Sequence, residues 1–369
     1  MRDETLVVRA GLPPASPGSA FLPGPVFAGP FHAAGDPGAS PFTYGRFHNP
    51  TWSAYEAALG ELEGGTALLF ASGMAATTAI LGSALRPGDV VALAEECYYT
   101  TRVLVRGYFA EMGVEVRPVP TVGGLDPAQV AGARLVWLES PTNPGLDVCD
   151  IAAIAGVARA AGALVAVDNT TATPLGQRPL ALGADFSLAS DTKAMTGHGD
   201  LILGHVAVRE AEWADKLWTW RTQTGSIAGP FEVWLAHRSL ATLALRLERQ
   251  CDNAQAIAEF LSGRPDVLRV RYPGLAADPS HAVARRQMRR FGPVVSFELA
   301  GRSRAERFLA ACTLVDEATS FGAVHTTAER RARWGGDAVG EGFIRLSAGC
   351  EHVDDIRADL SQALDRVHA

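Results

Sequence analysis

The pattern of apolar and polar positions divides the chain into three parts. Residues 1–50 are rich in proline and glycine and show no sustained periodicity, which is typical of an extended arm. Tyr55, Leu59 and Leu62 then recur at steps of four and three, and two glycines follow at 64–65. This spacing predicts an amphipathic helix that ends at the glycine pair.

Beyond residue 65, short apolar runs alternate with alanine-rich helical stretches such as "DIAAIAGVARAAG". Strands that alternate with helices predict an α/β fold with a mostly parallel sheet that is covered by helices on both faces. The runs that we predict to be strands lie at 67–71, 90–94, 114–119, 135–139, 163–168, 186–190 and 201–208.

After about residue 225 the pattern changes. A long helical region at 230–263 leads into apolar runs and further helical segments, which indicates a smaller α+β domain. We therefore predict an N-terminal arm at 1–50, a large domain at 51–225 and a C-terminal domain at 226–369.

Composition narrows the class of protein. The 369 residues are 47% hydrophobic, which is enough for a large core, and the net charge is −7. No block of basic residues is interleaved with aromatic ones, which argues against a nucleic-acid partner. The five cysteines are scattered without CxxC spacing, so neither a zinc site nor a disulfide framework is indicated. Unpaired cysteines favour a reducing compartment.

The N-terminus predicts the location. The segment "MRDETLVVRAG" carries acidic residues where a signal peptide needs a basic start. No apolar run approaches the ~20 residues of a membrane helix. We expect a cytoplasmic protein with no membrane partner and no metal ligands.

Polar groups follow most of the predicted strands. In open parallel sheets, ligands bind beyond the carboxyl ends of the strands, so these groups are candidates for a common site. The residues in these places are Ser72, Gly73, Met74, Glu95, Glu96, Tyr98, Tyr99, Glu139, Asp168, Asn169, Thr170, Ser190, Asp191, Thr192 and Lys193.

Lys193 is one of only two lysines in the chain, the other being Lys216, and arginine supplies nearly all the positive charge. A lysine amine forms a Schiff base with an aldehyde, and arginine cannot replace it in that role. Either Lys193 is kept for covalent chemistry, or it is a lysine in a surface turn.

The neighbours of Lys193 favour covalent chemistry with pyridoxal phosphate, which needs an acid facing its ring nitrogen and a cradle for its phosphate. Asp168 is placed to supply the acid. Gly73 and Met74 open a helix directly after a strand, where backbone N–H groups and the helix dipole attract a phosphate. The hydroxyl groups of Ser190 and Thr192 are further donors.

Several blocks of the sequence are similar to one enzyme family. They are "YGRFHNPTWSAYEAALGELEGG", "FASGMAA", "WLESPTNP", "VDNTTATPLGQRPLALGAD", "SDTKAMTGHGD" and "IRLSAG". In this order they resemble the Cys/Met-metabolism enzymes that depend on pyridoxal phosphate, and most of all cystathionine γ-lyase, from about residue 40 to the C-terminus. The resemblance implies the aspartate-aminotransferase-like fold of pyridoxal-phosphate enzymes (fold type I).

The resemblance also implies roles for matched residues. Lys193 would bond to the cofactor aldehyde and move protons at Cα and Cβ of the substrate, and Tyr98 would stack on the ring and protonate the leaving sulfur. The implied cofactor contacts are Tyr44, Arg46, Gly73, Met74, Tyr98, Asn143, Asp168, Thr170, Ser190, Thr192 and Lys193. The implied substrate contacts are Arg345, which would clamp the substrate carboxylate, with Ser320 and Thr319.

The arm and the assembly follow from the same resemblance. Tyr44 and Arg46 would reach into the site of the neighbouring subunit and touch its phosphate. The family is typically a homotetramer built from two such dimers, so we expect shared sites and an amino-acid substrate.

Two positions depart from the family pattern. Asp191 stands where the family has a small residue, and it either alters the environment of the lysine or points away from it. Thr319 stands where cystathionine lyases carry Glu, and the segment "VHTTAERRARWGGDAVGEG" after it is shorter than usual. The rim of the site is therefore expected to be remodelled.

Some assignments stay open at the level of the sequence. Tyr99 competes with Tyr98 for the ring position. Glu139 is either functional or a structural carboxylate at a strand end, and Arg102 either binds substrate or is solvated. His198 and Asp200 are expected to fix a loop.

Three functions are compatible with these residues. The first is γ-elimination from a sulfur amino acid, which gives a thiol, ammonia and a 2-oxo acid. The second is γ-replacement by an incoming thiol, or a specialised biosynthetic γ-lyase that acts on an unusual amino acid. The third is a sensor without catalytic activity that binds pyridoxal phosphate.

Overall fold

The computed structural model describes residues 1–368 and contains two β-sheets with helices packed on them. The strands are β1 (Thr66–Phe70), β2 (Val90–Ala94), β3 (Glu115–Val119), β4 (Ala133–Glu139), β5 (Leu164–Asp168), β6 (Phe186–Ala189), β7 (Gly204–Val208), β8 (Arg269–Arg271), β9 (Val294–Glu298), β10 (Asp316–Glu317), β11 (Thr327–Arg330) and β12 (Phe343–Ser347). The helices are α1 (Asp3–Arg9), α2 (Pro50–Glu63), α3 (Gly73–Ala84), α4 (Tyr99–Leu104), α5 (Pro127–Val130), α6 (Ile151–Ala160), α7 (Thr173–Gly176), α8 (Ala211–Thr224), α9 (Pro230–Leu240), α10 (Leu243–Ser262), α11 (His281–Gln287), α12 (Arg302–Ala311) and α13 (Val353–His368).

The larger sheet has the strand order β1-β7-β6-β5-β4-β2-β3. Strands β2 to β6 pair in parallel, whereas β7 runs antiparallel to both β1 and β6. The predicted mostly parallel sheet is therefore confirmed. Six strands point their carboxyl ends at one edge, where a ligand site is expected.

Local signals fix the helices beside this edge. The Asn49 side chain accepts a hydrogen bond from the Thr51 N–H at 2.8 Å, Pro50 occupies the first turn of α2, and Gly64 ends the helix with φ of 76°. The predicted helix end at 64–65 is thus correct. Ser72 caps α3 by accepting from the Ala75 N–H at 3.0 Å.

The smaller sheet has the order β10-β11-β12-β9-β8. Its apolar face packs on α10, α12 and α13 in one buried cluster. The predicted helical region at 230–263 is in fact two helices, because the chain leaves the helix between Leu240 and Leu243. The short strands β10 and β11 are not signalled by the sequence.

The N-terminal arm differs from the prediction at its start. Residues Asp3–Arg9 form a helix, Val7 is buried, and Asp3 forms an ion pair with Arg178 at 2.8 Å. The arm is therefore not extended throughout, because its first turns pack on their own chain. The rest of it contains one short 3₁₀ turn at Pro37–Ala39 before α2.

Among residues 1–368, no helix is both long and apolar enough to cross a membrane. The same residues contain no group of three or more His, Cys, Asp or Glu side chains that could hold a metal ion. The domain limits at residues 50 and 225 stay a prediction.

Candidate active site

A cavity of about 580 Å³ opens at the carboxyl edge of the larger sheet. All the predicted site residues except Tyr44 and Arg46 line it. These residues are Gly73, Met74, Tyr98, Asn143, Asp168, Thr170, Ser190, Thr192, Lys193, Thr319, Ser320 and Arg345. The strand ends and the segment after β10 thus meet at one place.

Lys193 lies in the connection between β6 and β7, and its Nζ donates to Ser320 Oγ at 2.7 Å. Burial and the nearby Arg345 cation together lower the pKa of Lys193 to about 8, against the opposing effects of Glu329 and Asp168. The amine is therefore closer to its neutral, nucleophilic form at physiological pH than an exposed lysine is.

Asp168 ends β5. One of its carboxylate oxygens accepts from the N–H of Thr170 at 3.0 Å and from its hydroxyl at 2.5 Å. Thr170 Oγ1 in turn accepts from the Ser190 N–H at 2.8 Å, which ties the ends of β5 and β6 together. Burial raises the pKa of Asp168 despite the Thr170 hydrogen bonds and the Lys193 charge. A cationic ring nitrogen facing this carboxylate would favour its ionised form.

The first turn of α3 has the form of an anion cradle. A Cβ at Gly73 would lie 2.7 Å from Ser190 Cβ, so only glycine allows the backbone of α3 to approach β6 this closely. The N–H groups of Gly73 and Met74 stand at the positive end of a 12-residue helix. Thr192 also lines the cavity, but its hydroxyl donates to the Leu203 carbonyl oxygen at 3.1 Å.

Arg345 is buried on β12. One Nη donates to Asn143 Oδ1 at 2.7 Å, and the other donates to the Ser320 carbonyl oxygen at 2.7 Å and to Glu329 Oε1 at 2.5 Å. Burial lowers the pKa of Arg345 to about 10, although Glu329 opposes this effect. Glu329 lies directly opposite Arg345 in the β11–β12 register. The sequence analysis missed Glu329, because its importance depends on that pairing.

Glu139 is the carboxylate at the end of β4, and it also lines the cavity. Its side chain is buried and accepts from the N–H groups of Tyr98 and of Asn143, the latter at 2.9 Å. Burial and the nearby Asp168 raise the pKa of Glu139. Glu139 thus sets the turn that carries Tyr98, whose side chain is 38% exposed at the cavity.

The rim of the cavity contains residues that have no clear signal in the sequence, such as Arg331 and Trp334. Arg331 donates to Glu329 at 2.8 Å and to Asp337 at 2.6 Å, and Trp334 Nε1 donates to Glu329 at 2.8 Å. Arg102 donates to Asp337 at 3.2 Å. Arg102 is therefore neither free for substrate nor solvated, because it ties α4 to the rim.

Tyr99 also belongs to the rim. Its ring lies against Gly336, where a Cβ would come within 2.5 Å of a ring carbon, and the Arg102 guanidinium carbon is 5.8 Å from the ring centroid. Tyr98 and Tyr99 both line the cavity.

Tyr44 and Arg46 lie outside this cavity. Arg46 donates to the Thr222 carbonyl oxygen on α8, and its guanidinium carbon is 5.6 Å from the Tyr44 ring centroid. Tyr44 is 46% exposed. Tyr44 is thus exposed at the surface of the subunit, and Arg46 is half-buried beside it.

The loop around Lys193 contains His198 and Asp191, for which there are expectations from the sequence. His198 Nδ1 lies 2.6 Å from the Thr196 carbonyl oxygen, as a loop-fixing residue would. Asp191 points away from the cavity and is bonded to His205 at 2.6 Å.

The site residues fit the requirements of pyridoxal phosphate, since an amine, a facing carboxylate and an anion cradle meet in one cavity. Residues 27–365 match the family described as Cys/Met metabolism PLP-dependent enzyme. The chain belongs to this family. It is therefore an enzyme of sulfur amino acid metabolism that depends on pyridoxal phosphate, and not a sensor without catalytic activity.

Individual relatives agree with the family. A Streptomyces coelicolor protein that carries the provisional name cystathionine gamma-lyase is 56% identical over 368 residues, which cover 98% of this chain and 93% of that protein. A cystathionine gamma-synthase from Mycobacterium bovis is 39% identical, with 98% and 96% covered. The crystal structure of metB from Corynebacterium glutamicum is similar with a TM-score of 0.96 at 35% identity, covering 100% of this chain and 99% of the other. The predicted fold-type I architecture is confirmed.

Proposed function

We propose that this enzyme catalyses γ-elimination on a sulfur amino acid and releases a thiol, ammonia and a 2-oxo acid. The observation that carries the proposal is the meeting of Lys193, Asp168 and Arg345 in one cavity. Pyridoxal phosphate, when bound, withdraws electron density from the α-carbon of the substrate. The steps that remain for the protein are binding, orientation and proton transfer.

Lys193 is the proposed base. An amine with a pKa of about 8 is neutral in about a tenth of molecules at pH 7, so it can take the proton from Cα. It has to give that proton up before it can take a second one from Cβ. Its hydrogen bond to Ser320 holds the Lys193 amine in one position in the cavity. Tyr98 is the proposed donor of the proton to the leaving sulfur, because Tyr99 is held by Gly336 and Arg102 at the rim.

Arg345 is the proposed anchor of the substrate carboxylate. A guanidinium has five N–H donors, and three of them are used on Asn143, Ser320 and Glu329. Two donors remain for a ligand. The three existing bonds hold the group in a fixed orientation toward the cavity.

The cofactor contacts are proposed as follows. Asp168 would hold the ring nitrogen, and Asn143 and Thr170 would contact the ring. The N–H groups of Gly73 and Met74 and the hydroxyl of Ser190 would hold the phosphate. Thr192 contributes through its position rather than through a free hydroxyl proton, since that proton is already donated to Leu203. Thr319 and Ser320 contact the substrate.

The test is a substrate panel. Cystathionine, methionine, homocysteine and acylated homoserine are each supplied with and without cysteine, and the products are identified by mass spectrometry. Release of a 2-oxo acid and a thiol from a single substrate supports the proposal. Lys193→Ala is expected to abolish product formation, whereas Lys216→Ala, on exposed α8, serves as the matched control. Full turnover by Lys193→Ala would refute the assignment.

γ-Replacement is the second candidate. Its support is that Thr319 stands where cystathionine lyases carry Glu, and that Arg331 and Trp334 line the same cavity. A product that forms only when cysteine is present would select this function. If the enzyme turns over only an unusual amino acid and no member of the panel, it is a specialised biosynthetic γ-lyase.

We also propose a shared-site dimer within a cytoplasmic homotetramer. The support is the position of Tyr44 and Arg46, which lie outside the cavity of their own chain although their sequence block matches the family. Sedimentation equilibrium measures the assembly, and a monomeric, fully active enzyme would contradict it.

A further inference from the structure

Four polar side chains form a buried network behind Lys193. His205 Nδ1 lies 2.6 Å from Asp191 Oδ1, and His205 Nε2 lies 3.2 Å from Glu63 Oε1. The Tyr55 hydroxyl donates to the other Asp191 oxygen at 3.3 Å. None of the four side chains is more than 1% exposed. We refer to Glu63, His205, Asp191 and Tyr55 as the His205 network.

The surroundings of the His205 network are apolar. It borders a cluster that contains Leu69 of β1, Leu203 just before β7, Ala207 of β7, and Leu59 and Leu62 of α2. Burying charged groups among such side chains costs free energy even when they are paired. An apolar set of similar volume would pack here at least as well.

One atom of the network adds to this cost. Among the described residues, Glu63 Oε2 is buried and has no hydrogen-bond partner. A buried network that is only partly satisfied is less favourable than an apolar core. The His205 network is therefore poorly explained as a device for stability alone.

The network is joined to the lysine through the backbone. Asp191 precedes Lys193 by two residues, and its carbonyl oxygen accepts from the N–H of Thr196 at 3.1 Å and from its hydroxyl at 2.9 Å. Thr192 Oγ1 accepts from the Leu203 N–H at 3.0 Å. We call residues 190–197 the lysine loop.

Two rigid elements hold the other end of the network. His205 lies on β7 opposite Ala189, the last residue of β6 and the one before the lysine loop. Tyr55 and Glu63 lie on α2. Asp191 thus anchors the lysine loop to a central strand and to a helix at the same time.

We propose that His205 and Asp191 are positioning residues, which fix the lysine loop so that Lys193 reaches the cofactor in the orientation that its proton transfers need. This inference rests on Lys193 bearing the cofactor and not on which substrate is turned over. Elimination and replacement both require it.

The charges agree with the geometry. Burial lowers the pKa of His205, but the facing Asp191 and Glu63 carboxylates outweigh burial and raise it to about 10. Both ring nitrogens then carry protons and donate, one to each carboxylate. Arg246 and His237 are the other titratable groups near this network, both on the side of Tyr55, and the pKa of Tyr55 is raised by burial and by Asp191. The histidine is therefore held as a cation between the two carboxylates at neutral pH.

The experiment uses the cofactor-loaded enzyme and four variants. Asp191→Ala and His205→Leu remove the anchor, whereas Asp191→Asn keeps an oxygen that accepts from His205 Nδ1. His237→Leu is the matched control, because His237 is also buried in this apolar cluster, 5.7 Å from the Tyr55 ring, and bonds to Ala10 instead of to the lysine loop.

Four quantities are measured for each variant. They are kcat, KM, the visible circular dichroism per mole of bound cofactor, and the melting temperature. The dichroism reports the orientation of the cofactor in its site without any turnover. Misplacement of a reacting group by about 1 Å costs on the order of 100-fold in rate.

We expect Asp191→Ala and His205→Leu to lower kcat by about 10- to 100-fold with KM little changed, and to change the dichroism. Asp191→Asn should recover most of kcat and the wild-type dichroism. His237→Leu should lower only the melting temperature. If the anchor variants behave like His237→Leu, or if Asp191→Asn loses as much as Asp191→Ala, the positioning role is wrong. Failure of the elimination proposal would change the products but not the dichroism.

Discussion

The most informative single substitution is Glu329→Gln. Glu329 is fully buried on β11 and accepts hydrogen bonds from Arg345 at 2.5 Å, Arg331 at 2.8 Å, Arg333 at 3.0 Å and Trp334 at 2.8 Å. The neutral amide keeps the shape of the side chain but removes the one carboxylate charge that is paired with Arg345, Arg331 and Arg333 together. The carboxylate therefore organises both the proposed substrate anchor and the rim.

The expected loss of stability in Glu329→Gln follows from the burial of the Glu329 ion pairs. Breaking a buried ion pair costs roughly 3–5 kcal/mol, and the amide oxygen of Gln still accepts one or two of the bonds, so we expect about 3 kcal/mol. An unfolding entropy of about 2.1 cal/mol/K per residue converts this loss into roughly 4 °C of melting temperature for a chain of this length. Arg345 also loses its orientation, so kcat/KM should fall with it.

The loss has a defined pH dependence. Although burial raises it, Arg345, Trp334 and Arg331 together hold the pKa of Glu329 below its ordinary value of 4.5. A carboxylate with a lowered folded-state pKa contributes stability that is present above its unfolded pKa and lost as pH falls through the folded value. The difference between wild type and Glu329→Gln should therefore be full above about pH 5 and should shrink in more acidic solution.

Thermal melting and steady-state kinetics are measured on both proteins. The control is Glu317→Gln, because Glu317 accepts from the same Arg333 at 2.9 Å but is 44% exposed. A surface pair contributes about 0–1 kcal/mol. If the Glu329→Gln and Glu317→Gln variants have the same melting temperature and the same kcat/KM, the buried carboxylate does not organise the site and the reasoning fails.

Three further predictions follow from the site. In the cofactor-free protein an amine-reactive reagent should label Lys193 with a midpoint near pH 8, since burial disfavours the ammonium form. Mass spectrometry measures the extent of labelling at each pH, with Lys216 as internal reference. A midpoint above pH 10 would contradict the environment described. Arg345→Lys should lower kcat/KM by about 10- to 150-fold, because a charged hydrogen bond contributes about 1.5–3 kcal/mol, and an unchanged kcat/KM would exclude Arg345 as the anchor. Mixed dimers of inactive Arg46→Ala and Lys193→Ala subunits should regain activity in an assay after co-refolding, whereas no regain would mean that each site is complete in one chain.

The strands and the lysine end of the site could be predicted because their signals are local. Strand β4 contains the apolar run 135–138, and the last residue of the strand, Glu139, is visible as the first polar group after that run. Lys193 stands out because arginine carries almost every other positive charge. Asp168 follows from the same rule of strand ends.

The rim could not be predicted because its interactions depend on register. Strand β11 reads "TAER", which has no apolar pattern, and Glu329 gains its role only by lying opposite Arg345. Trp334 and Arg331 reach the cavity through the same pairing. The helix break near Thr242 was likewise invisible, since both flanking segments have helical periodicity.

The pKa values of lysine and arginine explain why position 193 is a lysine in a chain that uses arginine for almost every other positive charge. Arg345 and Lys193 share one cavity and one low-dielectric environment, and burial lowers the pKa of both. It lowers that of Arg345 only to about 10, so this side chain stays a cation and can bind a carboxylate at neutral pH. It lowers that of Lys193 to about 8, where loss of the proton is within reach. The same desolvation therefore leaves arginine as a permanent cation and turns lysine into a base. Of the two, only lysine can both bond to an aldehyde and take a proton from the substrate.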